Sequence, residues 1–160
     1  NIQGAMIRAT YPKTPQALAD WLGNHSVDVL TMSEDLPNAD SCVRLLNGDQ
    51  VQVDYRPGGT AAHDRFVAHV KRVLRRAGFP LVLRHGFGIQ APSHQCGTVR
   101  MGNDPATSAL NKMCRAHDHP NLYVVDAGFF PSSAALNPAL TIAAQALRVG
   151  AHLRDTRAAW

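Results

Sequence analysis

The chain has 160 residues, of which 45% are hydrophobic and 18% are charged, and this composition argues against intrinsic disorder and against a long coiled coil. The net charge of +4 permits weak contact with nucleic acid without arguing for it, so no nucleic-acid partner is predicted. The longest apolar runs fall short of the about 18 residues that cross a bilayer, so no membrane span is predicted.

The cysteines and the first residue bear on the cellular compartment. Three cysteines without a framework spacing argue against a disulfide-built secreted domain, and they are Cys42, Cys96 and Cys114. Free cysteines without a visible leader favour the cytoplasm. The chain nevertheless begins at Asn1 rather than at Met, which indicates a piece of a longer protein and leaves the localisation open.

The first quarter of the chain is predicted to contain two strands with a helix between them. Residues 5–11 and 27–32 are apolar runs of strand length. Between them, residues 14–22 are predicted to form a short helix that begins at Pro15, because proline suits the first helical position.

A β-hairpin is predicted next, after a loop over residues 34–40. Residues 42–46 and 51–56 flank a turn sequence, and in the second run valine and tyrosine alternate with polar residues. Alternation with a period of two predicts one buried face on this hairpin.

A helix follows the hairpin. Six apolar residues share one face of a helical pattern, and they are Phe66, Val67, Val70, Val73, Leu74 and Ala77. Gly78 and Pro80 are typical stop signals. The basic residues of this segment lie outside the apolar face and are interpreted as a solvated surface.

The last third is predicted to form a long loop, a buried strand and a helix. Residues 97–120 lack periodicity, and loops of this length usually carry function. Residues 121–126 are almost wholly apolar, as in a strand that is covered on both faces and therefore needs partner strands. Asn137 and Pro138 are then predicted to be the cap and the first residue of a helix.

Two motifs in this part suggest chemistry but are weak. Residues 86–91 match the letters G-x-G-x-x-A, yet Pro92 leaves no room for the helix that a dinucleotide fingerprint requires, so this reading is rejected. A zinc site is a second hypothesis, and its candidate ligands are His94, Cys96, Cys114, His117 and His119. Its ligand spacing is poor, and ordinary hydrogen-bonded histidines explain His117 and His119 better.

His94 and Asn137 each have a functional and a plain interpretation. A neutral imidazole can take a proton from an alcohol near neutral pH, so His94 is a candidate acid–base group, although the residue alone favours a simple hydrogen-bonded histidine. Gly97, close behind it, would let the backbone approach a flat or charged group. Asn137 is a candidate polar site residue or only a helix cap.

Two stretches taken together resemble the glucose–methanol–choline (GMC) oxidoreductases. Residues 93–102, SHQCGTVRMG, resemble the H-x-x-G-T-x-x-M-G segment of that family. The family's closing strand, turn and helix are matched by NLYVVDA at 121–127, PSS at 131–133 and NPALT at 137–141. The likeness is weaker over residues 34–80.

The resemblance implies an enzyme that uses FAD to oxidise a small-molecule alcohol. His94 falls on the family's catalytic histidine, which handles the hydroxyl proton. Asn137 falls on its partner position and is counted both as catalytic and as a flavin contact. Asp126 and Ala127 fall where the backbone approaches FAD, and Ala139 falls where a main-chain N–H reaches the flavin ring.

The resemblance also implies an α+β fold that represents only the C-terminal portion of such an enzyme. Residues 1–120 would belong to the substrate-binding region, and 121–160 would close an FAD-binding domain whose N-terminal part, with its phosphate loop, is the missing partner. Oxidases and dehydrogenases share these motifs, so the electron acceptor and the alcohol are not named. The competing hypotheses are a non-catalytic fragment or interaction domain of the same shape, and the zinc module.

Overall fold

The computed structural model describes residues 7–9, 11–88 and 94–156. The chain divides into two compact units, Asn1–Thr31 and Met32–Trp160. Helices combine with one small antiparallel sheet, so the fold class is α+β, as expected. Among the described residues, no helix combines the length and the apolar character that crossing a membrane would take.

The first unit contains helix α1 (Gln16–Asn24), which follows Pro15 and confirms the predicted helix. The predictions of the two flanking strands are wrong. Within residues 5–11, the described residues 7–9 are helical, because the Tyr11 N–H bonds to the Ile7 carbonyl at 2.8 Å. Residues 27–32 form no strand, since an apolar run gains from the extended form only when a neighbouring strand pairs with it.

The second unit begins with a loop and the predicted hairpin of β1 (Cys42–Leu45) and β2 (Val51–Asp54). Its register pairs Val43 with Val53 and Leu45 with Val51. These four side chains share one face, because directly opposed residues point to the same side of a sheet. That face is open: Leu45 is 74% exposed and Val53 is 68% exposed. The hairpin prediction is therefore confirmed, whereas no described residue of the chain buries its apolar face.

Helix α2 (Thr60–Arg76) confirms the predicted amphipathic helix. It ends before Gly78, whose φ of +98° suits a residue without a side chain after a helix. Of its apolar face, Val67 is buried, while Phe66 and Val73 stay 39% and 49% exposed.

The hydrophobic core of the second unit lies between the long loop, a short turn and the last helix. A single 3-10 turn (Ala127–Phe129) precedes helix α3 (Ala139–Thr156). The buried residues of this core are Leu110, Cys114, Ala116, Phe129, Phe130 and Val149. Half of them come from the loop over residues 97–120, which is thus a packed part of the fold.

The strand predicted over residues 121–126 does not form. The segment makes one isolated antiparallel bridge, between Arg115 and Tyr123, in place of a ladder. Val124 and Val125 are only half-buried. The physical reason is the one that the sequence indicates: a strand covered on both faces needs parallel neighbours, and the described chain supplies none.

Candidate functional site

The two motif stretches are joined by backbone hydrogen bonds. Alternate N–H groups of the first stretch donate to consecutive carbonyls of the second: Gly97 to Ala127 (3.1 Å), Val99 to Gly128 (3.1 Å) and Met101 to Phe129 (2.9 Å). The segment that follows His94 is therefore held by the 3-10 turn, which is itself packed into the core. This arrangement explains why the two motifs occur together.

Glycines make this close contact possible. Gly97 has φ +81°, and a Cβ there would lie 3.3 Å from the Phe130 carbonyl oxygen. At Gly128 a Cβ would lie 2.8 Å from Asp126 Oδ1 and 2.9 Å from Thr98 Oγ1. A flat or charged group beside Gly97 stays a prediction, and within the protein the group that Gly97 approaches is the Phe130 carbonyl. The lack of a side chain at Gly97 allows one motif stretch to pack against the other.

His94 is half-buried in the wall of a small cleft. The cleft is small: its volume is about 10 Å³, room for roughly one water molecule, and its mouth is partly open to solvent. Its other lining residues are mostly apolar, and they are Cys96, Phe130, Ser133, Ala134, Leu136 and Pro138. The cleft thus gathers side chains from both motif stretches around one imidazole. An apolar pocket with few polar groups is the usual form of a small-molecule site.

Asn137 lies between two lining residues but does not line the cleft itself. Leu136 and Pro138 both face the cleft, whereas Asn137 is exposed. Helix α3 begins at Ala139, and its first bond runs from the Ile142 N–H to the Pro138 carbonyl at 3.0 Å. The capping position is therefore Pro138, one residue later than predicted. Asn137 precedes the cap, so the helix does not require its side chain.

The residues expected to contact FAD lie on two elements beside this cleft. Asp126 is exposed, and one of its carboxylate oxygens accepts the Gly128 N–H at 2.7 Å, which caps the 3-10 turn. Ala127 is half-buried, and its carbonyl is already bonded to Gly97. Ala139 is exposed in the first turn of α3, where backbone N–H groups have no partner within the helix. Of the three, Ala139 at the α3 terminus is the residue whose surroundings suit the edge of a flavin, and the contacts of Asp126 and Ala127 with FAD stay predictions.

The loop predicted over residues 34–40, for which the sequence indicates no site role, forms part of the same region. Asp35 and Ser133 exchange both backbone hydrogen bonds, at 3.0 and 2.9 Å. The Ser132 hydroxyl donates to the Glu34 carboxylate at 2.5 Å. Glu34 and Ser132 stand 98 positions apart, and no periodic pattern in the sequence could have indicated this contact.

Tyr55 extends this contact toward the hairpin. Its hydroxyl donates to Asp35 Oδ2 at 3.1 Å. Partial burial, followed by the hydrogen bond and the negative charge of Asp35 and then by the nearby Cys96, raises the pKa of the Tyr55 hydroxyl above its usual 10.0. The group that contacts Asp35 is therefore a neutral phenol at physiological pH.

The structure places the zinc candidates in different surroundings. Cys114 is fully buried in the core, where Gln145 Nε2 donates to its sulfur at 3.2 Å. His117 Nε2 lies 3.1 Å from the hydroxyl of Ser108. Across residues 7–9, 11–88 and 94–156, no three His, Cys, Asp or Glu side chains gather closely enough to hold a metal. The G-x-G-x-x-A stretch is described only to Gly88, without a helix, and its remainder lies outside the described residues.

Comparison with known proteins gives consistent similarities. The GMC oxidoreductase family profile matches residues 37–146. The chain is 37% identical over 156 residues to paromamine 6'-oxidase of Streptomyces fradiae, covering 91% of this chain and 28% of that protein. It is 38% identical over 143 residues to 6'''-hydroxyparomomycin C oxidase of Streptomyces lividus, covering 81% of this chain and 26% of that protein.

A dehydrogenase is also similar. The chain is 32% identical over 143 residues to 2-methyl-1,2-propanediol dehydrogenase of Mycolicibacterium austroafricanum, covering 82% of this chain and 25% of that protein. The chain thus spans about a quarter of the length of these relatives. The profile match, these identities and the hydrogen-bonded motif stretches agree with one another. The chain belongs to the GMC oxidoreductase family and corresponds to the C-terminal portion of its members.

Proposed function

We propose that the full-length protein carrying this chain is an FAD-dependent oxidoreductase that acts on the CH–OH group of a small-molecule alcohol. The observation that supports this most directly is the position of His94. Its imidazole lies in the wall of a mostly apolar cleft that is built from the two paired motif stretches. A titratable group in such a cleft suits proton transfer at a bound alcohol.

The proposed reaction divides the two hydrogens of the alcohol between the protein and the cofactor. The alcohol becomes a carbonyl compound: its hydroxyl proton passes to the His94 imidazole, and its carbon loses a hydride. FAD, when bound, supplies the acceptor for that hydride at N5. His94 therefore acts as the base on the oxygen, beside the apolar side chains of Phe130 and Leu136.

The remaining site residues have binding roles in this proposal. Asn137, which the helix cap does not require, hydrogen-bonds the substrate oxygen and contacts the flavin. Asp126, Ala127 and Ala139 hold the cofactor. The exposed N–H groups at the start of α3 suit a group on which negative charge develops, because the N-terminal end of a helix carries partial positive charge.

The printed names of the relatives bear on the substrate class. They name paromamine, 6'''-hydroxyparomomycin C and a propanediol, and they include both oxidases and a dehydrogenase. We propose a small polyhydroxylated alcohol as the substrate.

The test is substitution of His94 by alanine in the full-length protein. His94→Ala should lower kcat with alcohol substrates by roughly 10²–10⁴-fold, the usual contribution of an acid–base group, and leave the flavin content unchanged. His119→Ala is the matched control, because His119 is exposed and outside the cleft. Asn137→Ala should lower turnover without destabilising α3.

The competing hypothesis is that the protein keeps the family's shape without catalysis. A flavin-free full-length protein without turnover would favour it. Unchanged turnover in His94→Ala, with turnover intact in the wild type, would instead remove His94 from the mechanism while keeping the enzyme.

A further inference from the structure

One wall of the His94 cleft is attached to a distant loop. Ser133 lines the cleft, and its backbone exchanges two hydrogen bonds with Asp35. Beside this bridge, the Ser132 hydroxyl donates to the Glu34 carboxylate. The place of Ser133 in the wall is therefore set by the loop that carries Glu34 and Asp35, rather than by the turn around Ser133 alone.

The side chain of Asp35 fixes that loop in turn to the end of the hairpin. Asp35 Oδ1 accepts the Gly58 N–H at 3.0 Å, and Oδ2 accepts the Tyr55 hydroxyl at 3.1 Å. Both carboxylate oxygens are thus occupied by donors from one short segment that follows β2. Charge-assisted hydrogen bonds of this kind are stronger than those between neutral groups.

The segment after the hairpin is shaped for this contact. A Cβ on Gly58 would lie 3.0 Å from the Leu36 carbonyl oxygen and 3.3 Å from Asp35 Oδ1. A Cβ on Gly59 would lie 3.1 Å from the Glu34 carbonyl oxygen. Two successive glycines therefore let the backbone come close to the Glu34–Asp35 loop on the side where the carboxylate is held.

We propose that Asp35 is a positioning residue for the His94 cleft. It connects the hairpin end to Ser133, keeps that wall in place, and so sets the size of alcohol that the cleft admits beside His94. This deepens the proposed function and rests on it for its kinetic consequence. Asp35 itself does not touch the substrate; it acts through the backbone of Ser133.

Three substitutions separate the parts of this connection. Asp35→Ala removes both acceptors, so the loop keeps its backbone bridge to Ser133 but loses its side-chain hydrogen bonds to Gly58 and Tyr55. Asp35→Asn keeps an acceptor oxygen for the Gly58 N–H and should restore most of the wild-type behaviour. Tyr55→Phe removes one of the two donors and should fall between them. Asp54→Ala is the matched control. Asp54 is also a half-buried aspartate, but it lies at the end of β2, where its carboxylate bonds to Gln52 and Arg44.

The first measurement is kcat/KM of the flavin-loaded full-length protein for a small and a bulky primary alcohol. In Asp35→Ala the ratio of the two values should change by roughly tenfold or more, since displacement of a site wall by about 1 Å alters positioning on that scale. Partial unfolding lowers both values by one factor and leaves their ratio unchanged. Asp35→Asn and Asp54→Ala should keep the wild-type ratio.

The second measurement does not depend on turnover. Cys96 lines the cleft, so its rate of alkylation by N-ethylmaleimide, followed on its own peptide by mass spectrometry, reports how open the cleft is. Asp35→Ala should raise this rate several-fold, and Asp54→Ala should not. An unchanged alkylation rate, or an unchanged substrate ratio in an active enzyme, overturns the proposal. A wild type without alcohol oxidation would refute the proposed function, and the alkylation rates would still decide the role of Asp35.

Discussion

Replacing Gly128 by alanine tests whether the contact between the two motif stretches is as tight as the distances indicate. The new Cβ would lie 2.8 Å from Asp126 Oδ1, 2.9 Å from Thr98 Oγ1 and 3.0 Å from Val99 Cγ2. Separations this short require one stretch to move. Overpacking of a buried site costs about 1–3 kcal/mol. Displacing Asp126 also removes its bond to the Gly128 N–H, a cap worth about 1 kcal/mol.

We therefore expect Gly128→Ala to lower the free energy of unfolding by about 2–4 kcal/mol. Thermal unfolding of the full-length protein should show this as a fall in Tm of roughly 2–4 °C, because the shift per kcal/mol becomes smaller as the chain becomes longer. Gly86→Ala is the control, because a Cβ there meets nothing within 4 Å. If both variants unfold at the same temperature, the two stretches are not packed as described, and the cleft around His94 is not held by them.

Three further outcomes follow from other contacts. The pKa of Tyr55 is raised in the folded state, so the stabilisation linked to its protonation is present in full below about pH 10 and is lost as the pH rises through the folded-state pKa. Tyr55→Phe should lack this part of the pH dependence in alkaline unfolding, and identical unfolding profiles of the variant and the wild type would contradict the raised pKa. Gln145→Ala removes the hydrogen bonds to the Lys112 carbonyl and the Cys114 sulfur, and should lower the free energy of unfolding by about 1 kcal/mol in denaturant titrations. The control, Arg154→Ala at an exposed position, should lower it by less than about 0.5 kcal/mol. The isolated 160-residue chain should neither retain FAD in gel filtration nor oxidise alcohols, and it should self-associate less when Val51 and Val53 are changed to threonine; stoichiometric flavin on a monomer would refute this.

Local patterns predicted the elements that depend on local physics. Helices α1, α2 and α3 and the hairpin all lie where periodicity, proline and glycine place them. The predictions that are wrong concern elements that depend on contacts with other segments of the chain. Val51 and Val53 alternate as in a half-buried strand, yet what would cover them is not in the described chain. Residues 121–126 have strand composition but no ladder to join.

The site residues divide in the same way, into those that a local motif indicates and those that depend on distant segments of the chain. Motif letters predicted His94 as the central group, and the structure places it in a cleft formed by the expected stretches. The polar anchor of that cleft, from Asp35 to Ser133, was not predicted, because hydrogen bonds between residues so far apart leave no periodic trace. The cap at Pro138 instead of Asn137 is a shift of one residue at a helix end, where boundaries are least defined by sequence.

The 98 positions between Glu34 and Ser132 also impose an order on biosynthesis. At about 5–20 residues per second, a ribosome needs roughly 5–20 s to add that stretch. During this interval the hairpin can already pair, since its strands are neighbours, while Asp35 has no Ser133 to bond. The apolar hairpin face is thus exposed on the nascent chain well before the cleft can close. Chaperone demand and translation speed therefore bear on the yield of this protein.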